Sequence, residues 1–362
     1  MHVTIFERLA LILLLPLLLA ITSPTNANDE CQPFGDYKYV CGPESAEDLV
    51  LVPSTKFIIS SGFGTDSPFY LIDSQMKSWS ALLPANMAQA KLNMKAYGAC
   101  PGSPDVKTLV THGLHIRAGE NGHSTLYVVS HGGREAIEVF DINANGHTPV
   151  LTWTGCVMTP DGMEANSVTS LKDGSLLVTI PLEHGKTLGD AMAGTLTGSV
   201  YSWAPGDKEM TIIQGTALPY GNGIEVSTDE REFYVASTGL LNVIAYSNTN
   251  PAKVLRKTET LLFVPDNIHM GSDGKLITAG LVADYPDCGT IGGAEEFDLA
   301  EFAACSRPFI VTSVDPQTME TRDVAISTAQ EKFSNITMGL QVGNEIWIGT
   351  FSGDRVAYRK ME

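Results

Sequence analysis

Two signatures of hydrolytic and redox chemistry are missing from this sequence. It has no Gly-x-Ser-x-Gly elbow, which argues against a serine nucleophile. It has no Cys-x-x-Cys pair, so zinc and thiol-redox readings have no support. Positive charge is scarce: 23 Lys and Arg face 41 Asp and Glu, for a net charge of −18. Such a surface repels phosphate backbones and anionic membranes, so no nucleic-acid partner is expected. Charged residues make up only 18% and hydrophobic residues 43%, too apolar for a disordered chain and enough for a sizeable core. No long amphipathic helix stands out, and Glu295–Ala304 suits only a short one. The one long apolar run, Leu9–Ile21, contains Pro16 and is short for a membrane span. With Arg8 before it and Thr25-Asn26-Ala27 after it, the run reads as a signal peptide over residues 1–27. That leaves 28–362 as one secreted or periplasmic domain with no transmembrane segment. An uncleaved anchor is the competing reading.

Glycine is plentiful, at 34 residues, and short apolar runs recur between Gly- and Asp-containing turns. Asn166-Ser-Val-Thr-Ser-Leu-Lys-Asp-Gly-Ser-Leu-Leu-Val-Thr is one such unit, and Asn222-Gly-Ile-Glu-Val-Ser begins another. Asp266-Asn-Ile-His-Met-Gly and Asn335-Ile-Thr-Met-Gly begin two more. Each is a hairpin in which period-two apolar positions flank a short turn. Weaker copies begin at Glu47 and His112. The six starts are separated by 65, 54, 56, 44 and 69 residues, and each gap holds further strands such as Ser199–Trp203 and Phe309–Val314. Four strands per unit, repeated six times, predict an all-β, six-bladed β-propeller around a central channel. Six cysteines suit an exported chain with up to three disulfides. Of the fifteen pairings, closeness in sequence favours Cys31 with Cys41 and Cys288 with Cys305, leaving Cys100 with Cys156; free buried thiols are the alternative.

Every hairpin starts on a polar residue where the chain enters the channel: Glu47, His112, Asn166, Asn222, Asp266-Asn267 and Asn335. A single Asn there would be an ordinary turn residue. The whole set, at one place in successive repeats, makes a ring of carboxylate and amide oxygens suited to calcium, which takes about six to eight oxygen ligands. Glu47 and Asp266 together neutralise one divalent ion.

The chain resembles the paraoxonase/arylesterase family of calcium-dependent six-bladed propeller hydrolases, from about residue 42 to its end. The markers are Ser45-Ala-Glu-Asp-Leu, Phe57-Ile-Ile-Ser-Ser-Gly, Thr111-His-Gly-Leu, Leu126-Tyr-Val-Val-Ser-His-Gly, Asn166-Ser-Val, Asn222-Gly-Ile-Glu-Val-Ser, Val264-Pro-Asp-Asn-Ile and Ile346-Trp-Ile-Gly-Thr. Gluconolactonases, squid-type phosphotriesterases and strictosidine-synthase-like proteins form the wider superfamily. The resemblance implies that Glu47, Asn166, Asn222, Asp266 and Asn267 hold the central calcium. It makes His112 the catalytic histidine and His131 its partner. It assigns Asp48 and the Leu114 carbonyl to a second, structural calcium.

Three departures stand out. Ser167 replaces the family's Asp after the first ligand Asn, which removes a charge from the second site. Phe351–Glu362 contains no Cys, so the ring must close by strand pairing. The loop from Glu183-His-Gly-Lys through Asp190-Ala-Met-Ala-Gly also differs, at the expected channel mouth.

The resulting expectation is an ester or lactone hydrolase with a small-molecule substrate. The cation polarises the carbonyl, and His112 takes a proton from water, since an ordinary imidazole titrates near neutral pH. The alternatives are a sugar lactonase of the gluconolactonase type and a non-catalytic, calcium-pinned binding propeller. His115 and His269 occupy strand positions and are expected to be packed or exposed rather than functional; for His184, in the variable loop, contact with substrate is the weaker of two readings. Asn335 heads the sequon Asn335-Ile-Thr337 and is expected at the channel, where no glycan fits.

Overall fold

The computed structural model describes residues 31–64, 68–82, 90–291 and 297–361, so the signal-peptide reading of 1–27 lies outside the described residues. Six four-stranded antiparallel sheets form the blades. Their innermost strands start at Leu49, Leu109, Val168, Gly221, Ile268 and Ile336, each neighbouring the next around the axis and the last returning to the first. This is the propeller that the hairpin repeat predicts.

The burial gradient explains which residues form which strand. Second strands such as Leu176–Ile180 and Leu276–Leu281 are buried along their whole length, packed between neighbouring blades, and read as continuous apolar runs. Outer strands such as Ser78–Ala81 are exposed throughout. The sixth blade runs Ile336–Val342, Glu345–Thr350 and Arg355–Lys360, and its outermost strand is Lys38–Cys41 from the other end of the chain. Lys38 pairs with Tyr358 and Cys41 with Arg355, so strand pairing closes the ring without a disulfide between the termini.

The disulfides are Cys31–Cys41, Cys100–Cys156 and Cys288–Cys305. The third pins an insertion between the second and third strands of blade five. Within that insertion the short helix Leu299–Ala304, capped by Asp298, is the described part of the predicted segment 295–304.

Two local devices aim side chains at the axis. The ladder register shifts between Thr111 and Leu114 and again between Gly221 and Ile224, so His112 and Asn222 sit in β-bulges. A bulge re-aims the side chain that it carries. The glycine after each lets the next blade approach. A Cβ on Gly113 would lie 2.5 Å from the Asn166 carbonyl oxygen, and one on Gly223 would lie 2.4 Å from the Ile268 nitrogen. The His-Gly and Asn-Gly pairs in the sequence are therefore packing requirements of a narrow channel.

Candidate metal and active site

Glu47, His112, Asn166, Asn222 and Asp266 line one cavity of about 150 Å³ at the channel mouth. Asn267 stands beside it, fully buried, and its Nδ2 donates to Glu47 Oε1 at 2.6 Å. Thr337 Oγ1 fixes the Glu47 backbone by donating to its carbonyl at 2.6 Å. Asn222 Nδ2 donates to Thr238 Oγ1 at 3.3 Å, and Thr238 Oγ1 donates to the Pro265 carbonyl at 3.0 Å.

These bonds use the nitrogens and leave the oxygens. Glu47 Oε2, Asn166 Oδ1, Asn222 Oδ1 and Asn267 Oδ1 are all buried with no hydrogen-bond donor among the described residues. An unsatisfied buried acceptor is costly, and four in one place call for a shared partner. Electrostatics point the same way. Burial, and repulsion by Asp266 and Asp48, hold Glu47 well above the usual carboxylate range. Burial, with Asp48 nearby, pushes Asp266 up to about 8 although Asn222 hydrogen-bonds it. One buried carboxylate, one half-buried carboxylate and three amide oxygens fit a hard divalent cation of the calcium type. Among the described residues, no three His, Cys, Asp or Glu side chains cluster so as to hold a metal ion, so the fit rests on the amide oxygens beside the two carboxylates.

The second ion that the family resemblance implies does not fit the residues present. Asp48 Oδ1 accepts from the Leu49 N–H and from His269 Nε2, both at 2.8 Å, and Oδ2 accepts from the Leu114 N–H at 2.7 Å. Leu114 thus meets Asp48 through its nitrogen. His269 Nδ1 lies 3.7 Å from Glu225 Oε2. Burial lowers the His269 pKa, but Asp48 and Glu225 outweigh it and hold the ring up at about 10. An imidazolium therefore bridges two buried carboxylates where the family places an ion, and Ser167 leaves no third carboxylate to draw one in.

His112 forms the opposite wall. Its Nδ1 lies 3.0 Å from His131 Nε2, and His131 Nδ1 lies 2.6 Å from Glu135 Oε2. The Glu135 carboxylate only accepts, so His131 carries its proton on Nδ1. His131 Nε2 then accepts from His112 Nδ1–H, and the His112 lone pair is left on Nε2, 3.6 Å from Glu47 Oε1. Burial, aided by His131, pulls His112 down to about 3, so the ring is neutral at ordinary pH. Phe63 packs on it with ring centroids 4.6 Å apart. Glu135 was invisible to sequence reasoning, its one trace being a carboxylate just beyond the His131-Gly-Gly turn.

Above the polar floor the walls are apolar. Leu188 and Met192 come from the variable loop, on a short helix held by a Thr187–Asp190 capping box. Phe297 and Phe302 come from the Cys288–Cys305 insertion, and Phe351 from the last blade. His184 is exposed and does not line the cavity. His115 and His269 are buried at the far end of the channel, and Trp347 is wholly buried in the core. Asn335 sits behind the wall, its Nδ2 donating to the Ala303 carbonyl and to Ser352 Oγ. Its burial closes the sequon to a glycan.

Known proteins agree with this architecture. The luciferin-regenerating enzyme is similar over 88% of this chain and 92% of its own, at 13% identity and a TM-score of 0.52. A calcium-binding protein, regucalcin, from Agrobacterium tumefaciens is similar over 89% and 92%, at 10% identity and a TM-score of 0.52. At such identities the likeness is one of fold. No curated protein matches the chain in sequence. Residues 65–291 match the family described as SMP-30/gluconolactonase/LRE-like region, and the chain belongs to that family.

Proposed function

We propose that the protein is an exported, calcium-dependent hydrolase of lactones and esters. One observation carries this reading: Glu47, Asn166 and Asn222, each with a buried oxygen that has no donor, line one cavity with His112, while Asn267 beside it adds a fourth such oxygen and His131 and Glu135 back the histidine. Glu47, Asn166, Asn222, Asp266 and Asn267 would hold the cation. When bound, it would polarise the substrate carbonyl and stabilise negative charge on its oxygen. His112 Nε2 takes a proton from the attacking water. The positive charge that this creates is shared with His131 and offset by Glu135, which makes a poorly basic buried ring a usable acceptor. Leu188, Met192, Phe297 and Phe351 exclude bulk water and hold an apolar substituent. The three disulfides support export.

The family name favours a second reading, a sugar lactonase. Those apolar walls offer sugar hydroxyls few partners, which supports the aliphatic substrate instead.

The test is hydrolysis of phenyl acetate and of a panel of γ- and δ-lactones, including gluconolactone, with chelator and after calcium add-back. Activity that vanishes with chelator and returns with calcium is expected, with aliphatic lactones ahead of gluconolactone. No turnover by folded, calcium-loaded protein would sink the hydrolase. Gluconolactone as the best substrate would favour the sugar lactonase.

Glu135→Gln separates a working chain from a coincidental contact. It should lower kcat by about 10–100-fold, by analogy with carboxylates that orient metal-bound histidines, with calcium affinity kept. An unchanged kcat would remove Glu135 from the mechanism.

A further inference from the structure

Tyr220 is the bulkiest side chain in the left-handed backbone region, at φ +47°. A residue of this size is an outlier there and persists only where its surroundings hold it. Its N–H donates to Thr197 Oγ1 at 3.0 Å, and its carbonyl accepts from the Thr238 N–H at 3.1 Å. Thr197 is itself buried and anchored by donating to the Pro181 carbonyl at 2.9 Å. The fold therefore spends backbone strain to turn this phenol into the cavity that Glu47, His112, Asn166, Asn222 and Asp266 line.

The hydroxyl stands beside the Asn166 amide and close to Asp266. Asn166 Oδ1 has no donor among the described residues, so the amide nitrogen is the group turned to the phenol oxygen. That leaves the phenol's own proton uncommitted. The other hydroxyls of the lining are spent, Thr238 on the Pro265 carbonyl and Thr337 on the Glu47 carbonyl. His112 gives its proton to His131 and presents a lone pair. With Glu47 and Asp266 ionised on the proposed cation, the Tyr220 hydroxyl is the one hydroxyl among the described cavity side chains left to donate.

Hydrolysis of an ester or lactone has three polar demands. The carbonyl oxygen is met by the cation and the water by His112 under the function proposed above, on which this step rests. The third is the alkyl oxygen, which gains negative charge as its bond to the carbonyl carbon breaks. We infer that the Tyr220 hydroxyl donates a hydrogen bond to this leaving oxygen, making Tyr220 a catalytic residue that sets the preference for alkyl over aryl leaving groups. The phenol stays neutral; the proton that the leaving oxygen takes as its bond to the carbonyl carbon breaks is the one His112 removed from water. A bond that strengthens only as charge develops raises kcat and leaves KM alone. It matters most for a basic alkoxide, as from a δ-lactone, and least for a phenolate, which leaves unaided.

The experiment compares wild type with Tyr220→Phe on a δ-lactone and on phenyl acetate, with calcium content and thermal midpoint measured on the same samples. The expected kcat loss on the lactone is about 10–100-fold, in the range of a single lost transition-state donor. It should exceed the loss on phenyl acetate at least tenfold, with KM and calcium content kept. Equal losses on both substrates, or a rise in KM alone, would overturn the inference, as would loss of calcium, which would make Tyr220 a prop for Asn166. Should Tyr220→Phe not fold, Thr197→Ala keeps the phenol and loosens its backbone. It should show the same leaving-group selectivity in smaller measure, and a uniform loss would again overturn the inference. A wild type that cleaves neither substrate is a different failure, that of the hydrolase reading itself.

Discussion

Replacing His112 with Gln lowers kcat for lactone hydrolysis by about 10²–10⁴-fold, the range of a lost general base, while the protein stays folded and keeps its cation. Glutamine is close in size, and its amide can still donate to His131, so the wall and the Phe63 contact survive. What it lacks is a nitrogen lone pair able to take a proton from water. His112 brings no oxygen to the cation site, whose free acceptors belong to Glu47, Asn166, Asn222 and Asn267. Calcium titration of the variant should therefore match wild type. The pairing of the two measurements is decisive. Lost turnover with retained calcium identifies a base. Lost turnover with lost calcium would mean that His112 supports Glu47, 3.6 Å away. Retained turnover would return the first step to a carboxylate or to the cation alone. If neither form turns over and both bind calcium, the chain is a calcium-pinned binding module.

The repeat was legible because blade formation is local. Alternation, a turn and a polar residue at the channel entrance recur within about fifty residues of chain, and each can be read without its neighbours. The site was legible to the same extent. Asn222-Gly223 and His112-Gly113 announce both an aimed side chain and the close packing that makes aiming possible. What escaped depends on distance or on strain. The closing strand Lys38–Cys41 has too few residues to show a period, and its partner lies at the other end of the sequence. Tyr220 gives no turn signal, because its left-handed conformation is imposed by Thr197 and Thr238, which lie about twenty positions away on either side in the loop before Ser199–Trp203 and the turn after Glu232–Ser237. Ser167 disclosed a missing charge, but not what stands in place of the ion. His269 reads as an ordinary packed histidine until Asp48, 221 positions away, is brought against it.

That last contact carries the largest stability effect expected here. Asp48 is fully buried and Glu225 nearly so, and between them stands one ring with Nε2 at 2.8 Å from the first and Nδ1 at 3.7 Å from the second. Burial raises the Glu225 pKa, but His269 and His115 outweigh it and hold the carboxyl down at about 2. His269 and Glu225 are therefore kept in their charged forms. Removing one side of such a pair costs more than the bond, because the remaining charges are left in a poor solvent. His269→Gln should destabilise the protein by about 3–5 kcal/mol, the usual cost of a buried ion stripped of its partner. An exposed pair would cost about 1 kcal/mol or less. Urea unfolding of calcium-saturated, disulfide-intact protein measures the difference. Asp48→Asn should be costly on its own, and the double variant should lose clearly less than the two single losses added, since contacting groups do not act independently. Additive losses, or a cost near 1 kcal/mol for His269→Gln, would show that the imidazolium merely fills space. A non-additive cycle would establish that His269 and Asp48 hold this end of the channel as a coupled pair, and thermal stability should then owe little to a cation there.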